Sequence, residues 1–247
     1  MQSRYILSLA VTSSGHIVAT GGTGSTTKIY ASDYSLVKDI GQSFTRVTVT
    51  RDDQLLFIDW SRTIYFYTTD GDYIRNITVT GSSYQLAGIT TLYTGQLVVC
   101  DDYTDRVCIV EQDAGNATPL SASGTFVNPL DVTTNSKGVV IVIDINGHSI
   151  KGLDQDGDIL FSYGTEGSGE GQLNYPRGVA TDKEDYIVVA DFGNKRVQLL
   201  TPDGEFHSYL LTASDGVNNP FAVSIKQDGH LLVGDNRGQL FTITYRE

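Results

Sequence analysis

Six times along this chain an apolar residue is followed, six positions later, by Gly or Asp and, twelve positions later, by an anchor residue. The copies start at Leu9, Val47, Ile89, Val132, Val179 and Val223, and their turn residues are Gly15, Asp53, Gly95, Gly138, Asp185 and Gly229. The anchors are Gly21, Asp59, Asp101, Asp144, Asp191 and Asp235. Between turn and anchor, three consecutive positions are apolar in every copy, from Ile17-Val18-Ala19 to Leu231-Leu232-Val233. Copy-to-copy distances drift between 38 and 47 residues while the spacing of twelve holds. An internal repeat of that length restricts the chain to solenoids or propellers.

The fifth copy shows what one unit is made of. Val179-Ala180-Thr181 reads as a short strand and Asp182 to Asp185 as a polar turn. Ile187 to Ala190 is a continuous apolar run, as a strand buried on both faces requires. A turn from Asp191 to Arg196 precedes a third strand, Val197 to Leu200, and Pro202-Asp203-Gly204 is a hairpin signal leading to a fourth, Phe206 to Leu211. Asp-Gly recurs at Asp70-Gly71 and Asp156-Gly157. No window carries a sustained helical period with caps, so each unit is a four-stranded antiparallel meander. The pattern predicts an all-β, six-bladed β-propeller, with residues 1–247 as one domain and inner strands centred on Ala10, Thr48, Thr90, Thr133, Ala180 and Ser224. Those six residues are small, which lets converging blades approach.

Ring closure carries its own expectation. The fourth strand of the first copy lies near Leu36 to Ile40, and the same offset before Leu9 falls around Met1. The last copy ends after its third strand, Gln239 to Tyr245. The sixth blade is therefore expected to lack a full fourth strand, with the chain a fragment of a larger protein whose Met1 comes from cloning. Arg4 and the apolar tract after it have a faint leader-like look, but first-strand residues are the better reading.

A net charge of −12 argues against general affinity for phosphate backbones or anionic membranes. Nothing approaches eighteen consecutive apolar residues. Cys100 and Cys108 sit on the second and third strands of the third copy, where they are either a cross-hairpin pair or buried free thiols of a reducing compartment. Asn76-Ile77-Thr78 and Asn116-Ala117-Thr118 fit glycosylation sequons, which also arise by accident.

Gly169 to Thr181, continuing into Ile187 to Asp191 and Asn194-Lys195-Arg196-Val197, closely resembles the NHL repeat. His148 stands at that family's His position, Lys195 replaces it in the next copy, and Pro129, Pro176 and Pro220 fit the Pro before the inner strand. The first copy departs most, with Gly21 as its anchor. NHL propellers end animal tripartite-motif proteins, after RING, B-box and coiled-coil segments. The resemblance implies the substrate- or partner-binding domain of a ubiquitin ligase or adaptor, cytoplasmic, acting on a protein partner or ubiquitination substrate, and monomeric when isolated. RNA stem-loop binding is the alternative the family offers. An extracellular sensor or a metal-dependent lyase-like propeller is a further one.

No catalytic residues are expected, and no metal or cofactor. His16, His148, His207 and His230 are the chain's histidines, and no nucleophile motif or phosphate loop is present. Asp154 to Asp158 has a calcium-loop flavour without that loop's remaining ligands, so a tight turn accounts for it better. Asp101 with Arg106 and Asp191 with Arg196 recur at one turn and read as structural ion pairs, alongside the anchors Asp59, Asp144 and Asp235. One face concentrates Arg46, Arg62, Arg106, Arg177, Lys195, Arg196 and Arg237 with Trp60, Tyr103, Tyr175, Phe192 and Phe221. Aromatics beside arginines suit an interface. The expected partner-binding set is Trp60, Arg62, Tyr103, His148, Arg177, Phe192, Lys195 and Arg237.

Overall fold

A computed structural model describes residues 5–22, 24–81 and 85–246. Arg4 and the strand expected around Met1 lie outside the described residues. Within them, six antiparallel sheets follow one another along the chain. Blade 1 holds β1 (Ser8–Val11), β2 (Ile17–Thr20), β3 (Lys28–Tyr30) and β4 (Leu36–Asp39). Blade 2 holds β5 (Arg46–Val49), β6 (Leu55–Ile58), β7 (Thr63–Tyr67) and β8 (Tyr73–Thr78). Blade 3 holds β9 (Leu86–Thr91), β10 (Leu97–Asp101), β11 (Arg106–Val110) and β12 (Ala117–Pro119). Blade 4 holds β13 (Pro129–Thr134), β14 (Val140–Asp144), β15 (Ser149–Leu153) and β16 (Ile159–Tyr163). Blade 5 holds β17 (Gly178–Thr181), β18 (Ile187–Asp191), β19 (Arg196–Leu200) and β20 (Phe206–Leu211). Blade 6 has three strands among the described residues, β21 (Pro220–Ile225), β22 (Leu231–Asp235) and β23 (Leu240–Ile243). The single helix described is one 3-10 turn, Ala213–Asp215. All six small residues expected at the centres of inner strands lie in the first strand of their blade.

The continuous apolar runs follow from where the core sits. Leu55 and Phe57 pack with Val18 and Val47 between blades 1 and 2. Leu56 and Ile58, the alternate residues of β6, pack with Leu97 and Val99 between blades 2 and 3. Successive side chains of a strand point to opposite faces, so a second strand sandwiched between two blades needs an apolar residue at every position. The outer strands face water on one side and alternate instead, as in β20, where His207 and Tyr209 are exposed between the half-buried Phe206, Ser208 and Leu210.

The same register settles the cysteines. Cys100 pairs across the hairpin with Val107, and Cys108 with Val99. The two are one step out of register and therefore face opposite sides of the blade: Cys100 packs with Val132 and Val142, Cys108 with Leu56 and Leu97. They do not face each other, and both are free. Burial pushes the Cys100 thiol well up and the Cys108 thiol to about 11. A thiol reagent at pH 8 should accordingly find neither cysteine in the folded protein and both in denaturant. A fast native reaction would mean that blade 3 opens readily.

Ring closure is made by the first and last blades. Ile6 is fully buried with Leu9, Ile17, Ala222 and Leu232. Its N–H donates to the Asp235 carbonyl at 3.2 Å. Outside this core, the Tyr34 hydroxyl meets Thr242 Oγ1 at 2.6 Å. The C-terminal residues return to blade 5, where Tyr245 and Arg246 both bond Asp182.

Around the axis, inner strands are laced by side chain to backbone bonds. Thr134 Oγ1 donates to the Thr91 carbonyl and Thr181 Oγ1 to the Thr134 carbonyl, each at 2.9 Å. Asp131 Oδ2 accepts the Val179 N–H at 3.1 Å, and Ser8 Oγ accepts that of Val47 at 3.3 Å. At the turns that follow the inner strands, Asp53 accepts from Ser13 and Asp185 from Ser136. Those two aspartates adopt φ of 62° and 67° where four copies have glycine, so bonds between blades offset the strain.

Candidate functional site

The second strands β10, β14, β18 and β22 end on their anchors, and β2 and β6 one residue before theirs, at one end of the ring, and the lead-in to the inner strand returns to that end. Asp144 and Asp191 bind the two together, and the other anchor aspartates brace the turn that follows them. Asp144 is fully buried, accepts the N–H groups of Val127, Asn128 and Gly147, and pairs with Lys151 at 2.8 Å. Asp191, also fully buried, accepts from Asn174 N, Asn194 Nδ2, Gln198 Nε2 and Arg196 Nε, the last at 2.7 Å. Asp101 takes Tyr103 N–H and the Thr104 hydroxyl, with Arg106 opposite it in register. Asp59 accepts from Ser61 N and Tyr65 Oη, and Asp235 from the N–H groups of Arg237 and Gln239. These carboxylates hold the loops; the loops in turn carry the exposed groups.

Several of those groups occupy strained turns. Trp60, directly after its anchor, has φ 68°, and the residues just before the third strands, Asp105, His148 and Lys195, have φ 53°, 48° and 51°. A non-glycine residue there costs roughly 1–3 kcal/mol and persists only where its surroundings hold it. Trp60 is 36% exposed, Tyr103 75%, Tyr175 45% and Val127 59%. Lys195 and Arg237 are exposed, and Arg62, Arg177 and Phe192 are half-buried.

Three expected members of this surface are turned inward. His148 is buried, its Nδ1 accepting the Tyr175 N–H at 3.3 Å and its ring 4.5 Å from that of Tyr175. It reaches across to the lead-in of the next blade, where it props Tyr175 rather than meeting solvent. Arg196 is buried and spends its guanidinium on Asp191, Tyr209 Oη and the carbonyls of Ser168, Gly169 and Gln172. Arg46 is buried at the axis.

The central channel, a cavity of about 370 Å³, is lined by the inner strands and by Asp131. Arg46 reaches over its mouth. Its Nη1 donates to the carbonyls of Thr45 and Leu7, and its Nε lies 3.4 Å from Asp131 Oδ1, two blades away. Burial raises the Asp131 carboxyl above its ordinary range, with Arg46 opposing the shift. Beside them the Arg177 guanidinium carbon sits 4.6 Å from the Phe192 ring centre and 4.9 Å from that of Phe221. Sequence reasoning missed Asp131. The available signal was its place one residue before the apolar start of its copy, where other copies have Ser8, Gly88, Gly178 and Ala222 and only Arg46 is also charged.

Among the described residues no three His, Cys, Asp or Glu side chains converge as a metal site. Asp154 Oδ1 accepts the N–H groups of Asp156 and Asp158, closing a tight outer turn. Among the described residues no helix is long and apolar enough to cross a membrane.

Residues 173–198, within blade 5, match the NHL repeat family model. E3 ubiquitin-protein ligase TRIM71 of Rattus norvegicus is 47% identical over 66 residues, covering 27% of this chain and 7% of that protein. NHL repeat-containing protein 3 of Homo sapiens is 28% identical over 160 residues, 57% of this chain and 45% of the relative. The similarity thus spans less than half the length of either relative. Virginiamycin B lyase from Staphylococcus aureus superposes with a TM-score of 0.71 over 100% of this chain and 86% of its own, at 14% identity, which shows a shared fold alone. The fifth blade carries a matched NHL repeat, its spacing recurs in all six blades and the ring closes, so the chain is a six-bladed β-propeller containing an NHL repeat, similar over that part to E3 ubiquitin-protein ligase TRIM71.

Proposed function

We propose that this propeller is a non-catalytic protein-recognition module, the substrate- or partner-binding domain of a tripartite-motif ubiquitin ligase or adaptor, acting as a monomer in the cytoplasm. One observation carries this reading. Trp60, Tyr103, Val127 and Tyr175 are exposed on a single loop-bearing face, interspersed with Lys195 and Arg237. Exposed aromatics with few rotamers to lose, next to cations, are what an interface anchor needs. Buried carboxylates fix the loops beneath them, so the face is preorganised. Free, buried thiols fit a reducing setting. RNA binding has less support: the arginines at 46 and 196 are drawn into carboxylates and carbonyls, which weakens a continuous positive patch.

The test is affinity capture of proteins from cell extract by the wild type, by Trp60→Ala with Tyr103→Ala, and by Lys137→Ala on the opposite face. The double variant should keep its melting temperature and lose the captured proteins by at least about thirtyfold, the scale of a hot-spot truncation. The Lys137 variant should capture as the wild type does. Undiminished capture by the double variant would remove the proposed face. A steep loss with salt and with nuclease would favour RNA instead.

A further inference from the structure

We propose that the mouth of the central channel is a carboxylate-binding site, in which the guanidinium groups of Arg177 and Arg46 hold one carboxylate presented by an acidic residue of a partner or by a small organic acid. The inference rests on the recognition reading for its choice of face. Its evidence is a charge the fold leaves uncompensated.

Arg177 and Arg196 belong to the same blade and are treated in opposite ways. Every nitrogen of Arg196 has an acceptor, five bonds in all. Among the described residues Arg177 has no side-chain acceptor: its Nε is buried without a hydrogen-bond partner, and its guanidinium lies against the rings of Phe192 and Phe221. Burial, and then the nearby Arg46 charge, lower its pKa from the ordinary value, so the cation is held where its surroundings disfavour it. A buried donor group left unpaired costs free energy that a purely structural arginine would avoid. An anion arriving at this position recovers that cost.

The charge count selects the ligand. Two guanidiniums and the Asp131 carboxylate leave one net positive charge, which a single carboxylate neutralises. A phosphate dianion would bring its second charge toward Asp131. The planar fork of an arginine suits the two oxygens of a carboxylate. Phe192, Phe221 and Tyr5 form an aromatic collar, with ring centres 4.9 Å and 6.3 Å apart, against which the methylenes of a glutamate side chain can pack. The rest of the chain is strongly acidic, so affinity for an anion has to come from this local field.

The experiment is calorimetric titration of the full chain, at constant ionic strength, with acetyl-Gly-Glu-Gly-amide, its Gln counterpart, acetate and inorganic phosphate. The Glu peptide should bind at least about tenfold more tightly than the Gln peptide. Arg177→Met, which keeps an apolar stem between the rings, should erase that preference. Asp131→Asn retains an acceptor for the Val179 N–H, removes the opposing charge and should tighten every anion severalfold. A merely structural role for these residues predicts no such opposite effects. Acetate as tight as the Glu peptide would assign the site to a small acid, and a clear peptide advantage would assign it to a partner's side chain. Equal binding of the Glu and Gln peptides, a preference that survives Arg177→Met, or phosphate bound more tightly than either carboxylate would overturn the proposal. Loss of the carboxylate preference with capture still dependent on Trp60 and Tyr103 would leave the recognition reading standing.

Discussion

Asp191→Ala is expected to lower stability by about 3–5 kcal/mol, the cost of breaking a buried ion pair by removing one partner. The substitution strands the Arg196 guanidinium, the Gln198 and Asn194 amides and the Asn174 N–H, all of which converge on one carboxylate with no exposed surface. For a chain of this size, a loss of that order corresponds to on the order of ten degrees in melting temperature. Asp144→Ala should follow closely, since Lys151 and three backbone N–H groups lose their acceptor. Asp59 is half-buried, bonds Ser61 N and Tyr65 Oη, and should cost only about 1 kcal/mol. Thermal and urea melts of the three variants check the order. Equal effects at Asp191 and Asp59 would show that burial of the anchor is not what stabilises the turn.

Gly178→Ala should be the most damaging single methyl group that can be added near the axis. A Cβ there would lie 2.5 Å from the Phe221 carbonyl oxygen and 3.3 Å from the Ala222 Cα, both backbone atoms of the next blade. Backbone cannot swing aside as the end of a side chain can, so blades 5 and 6 would have to separate. Overpacking of this kind costs about 1–3 kcal/mol. Displacement of Phe221 would also disturb the aromatic contact with Arg177. Gly88→Ala, whose Cβ would meet the Leu130 carbonyl oxygen at 2.9 Å, should behave similarly but more mildly. Gly95→Ala meets no neighbouring atom and is limited to the strain of its φ of 87°, about 1 kcal/mol. A melting temperature unchanged in Gly178→Ala would mean that the inner strands are not in close contact.

Much of this architecture was legible because its causes are local or repetitive. Runs such as Leu55-Leu56-Phe57 identify strands that serve two interfaces at once. Pro129 and Pro220, which cannot donate to a ladder, stand opposite Asp144 and Asp235 at irregularities where their inner strands begin. The site was less legible. Trp60 and Tyr103 are exposed, whereas His148 is held inward by its contact with Tyr175 of the next blade. Cys100 and Cys108 read as potential partners until a one-residue difference in register put them on opposite faces.

The sequence by itself determined the number of blades, the order of strands within each, and the turn and anchor positions. These depend on period, side-chain alternation and short-range hydrogen bonds, all contained within one copy. Only the tertiary structure decided which charges meet at the axis. Arg46 reaches Asp131 over an intervening blade, and Arg177 is left between two phenyl rings without a side-chain acceptor among the described residues. No spacing along the chain encodes those encounters, because they arise from the curvature that six unequal blades adopt when the ring closes.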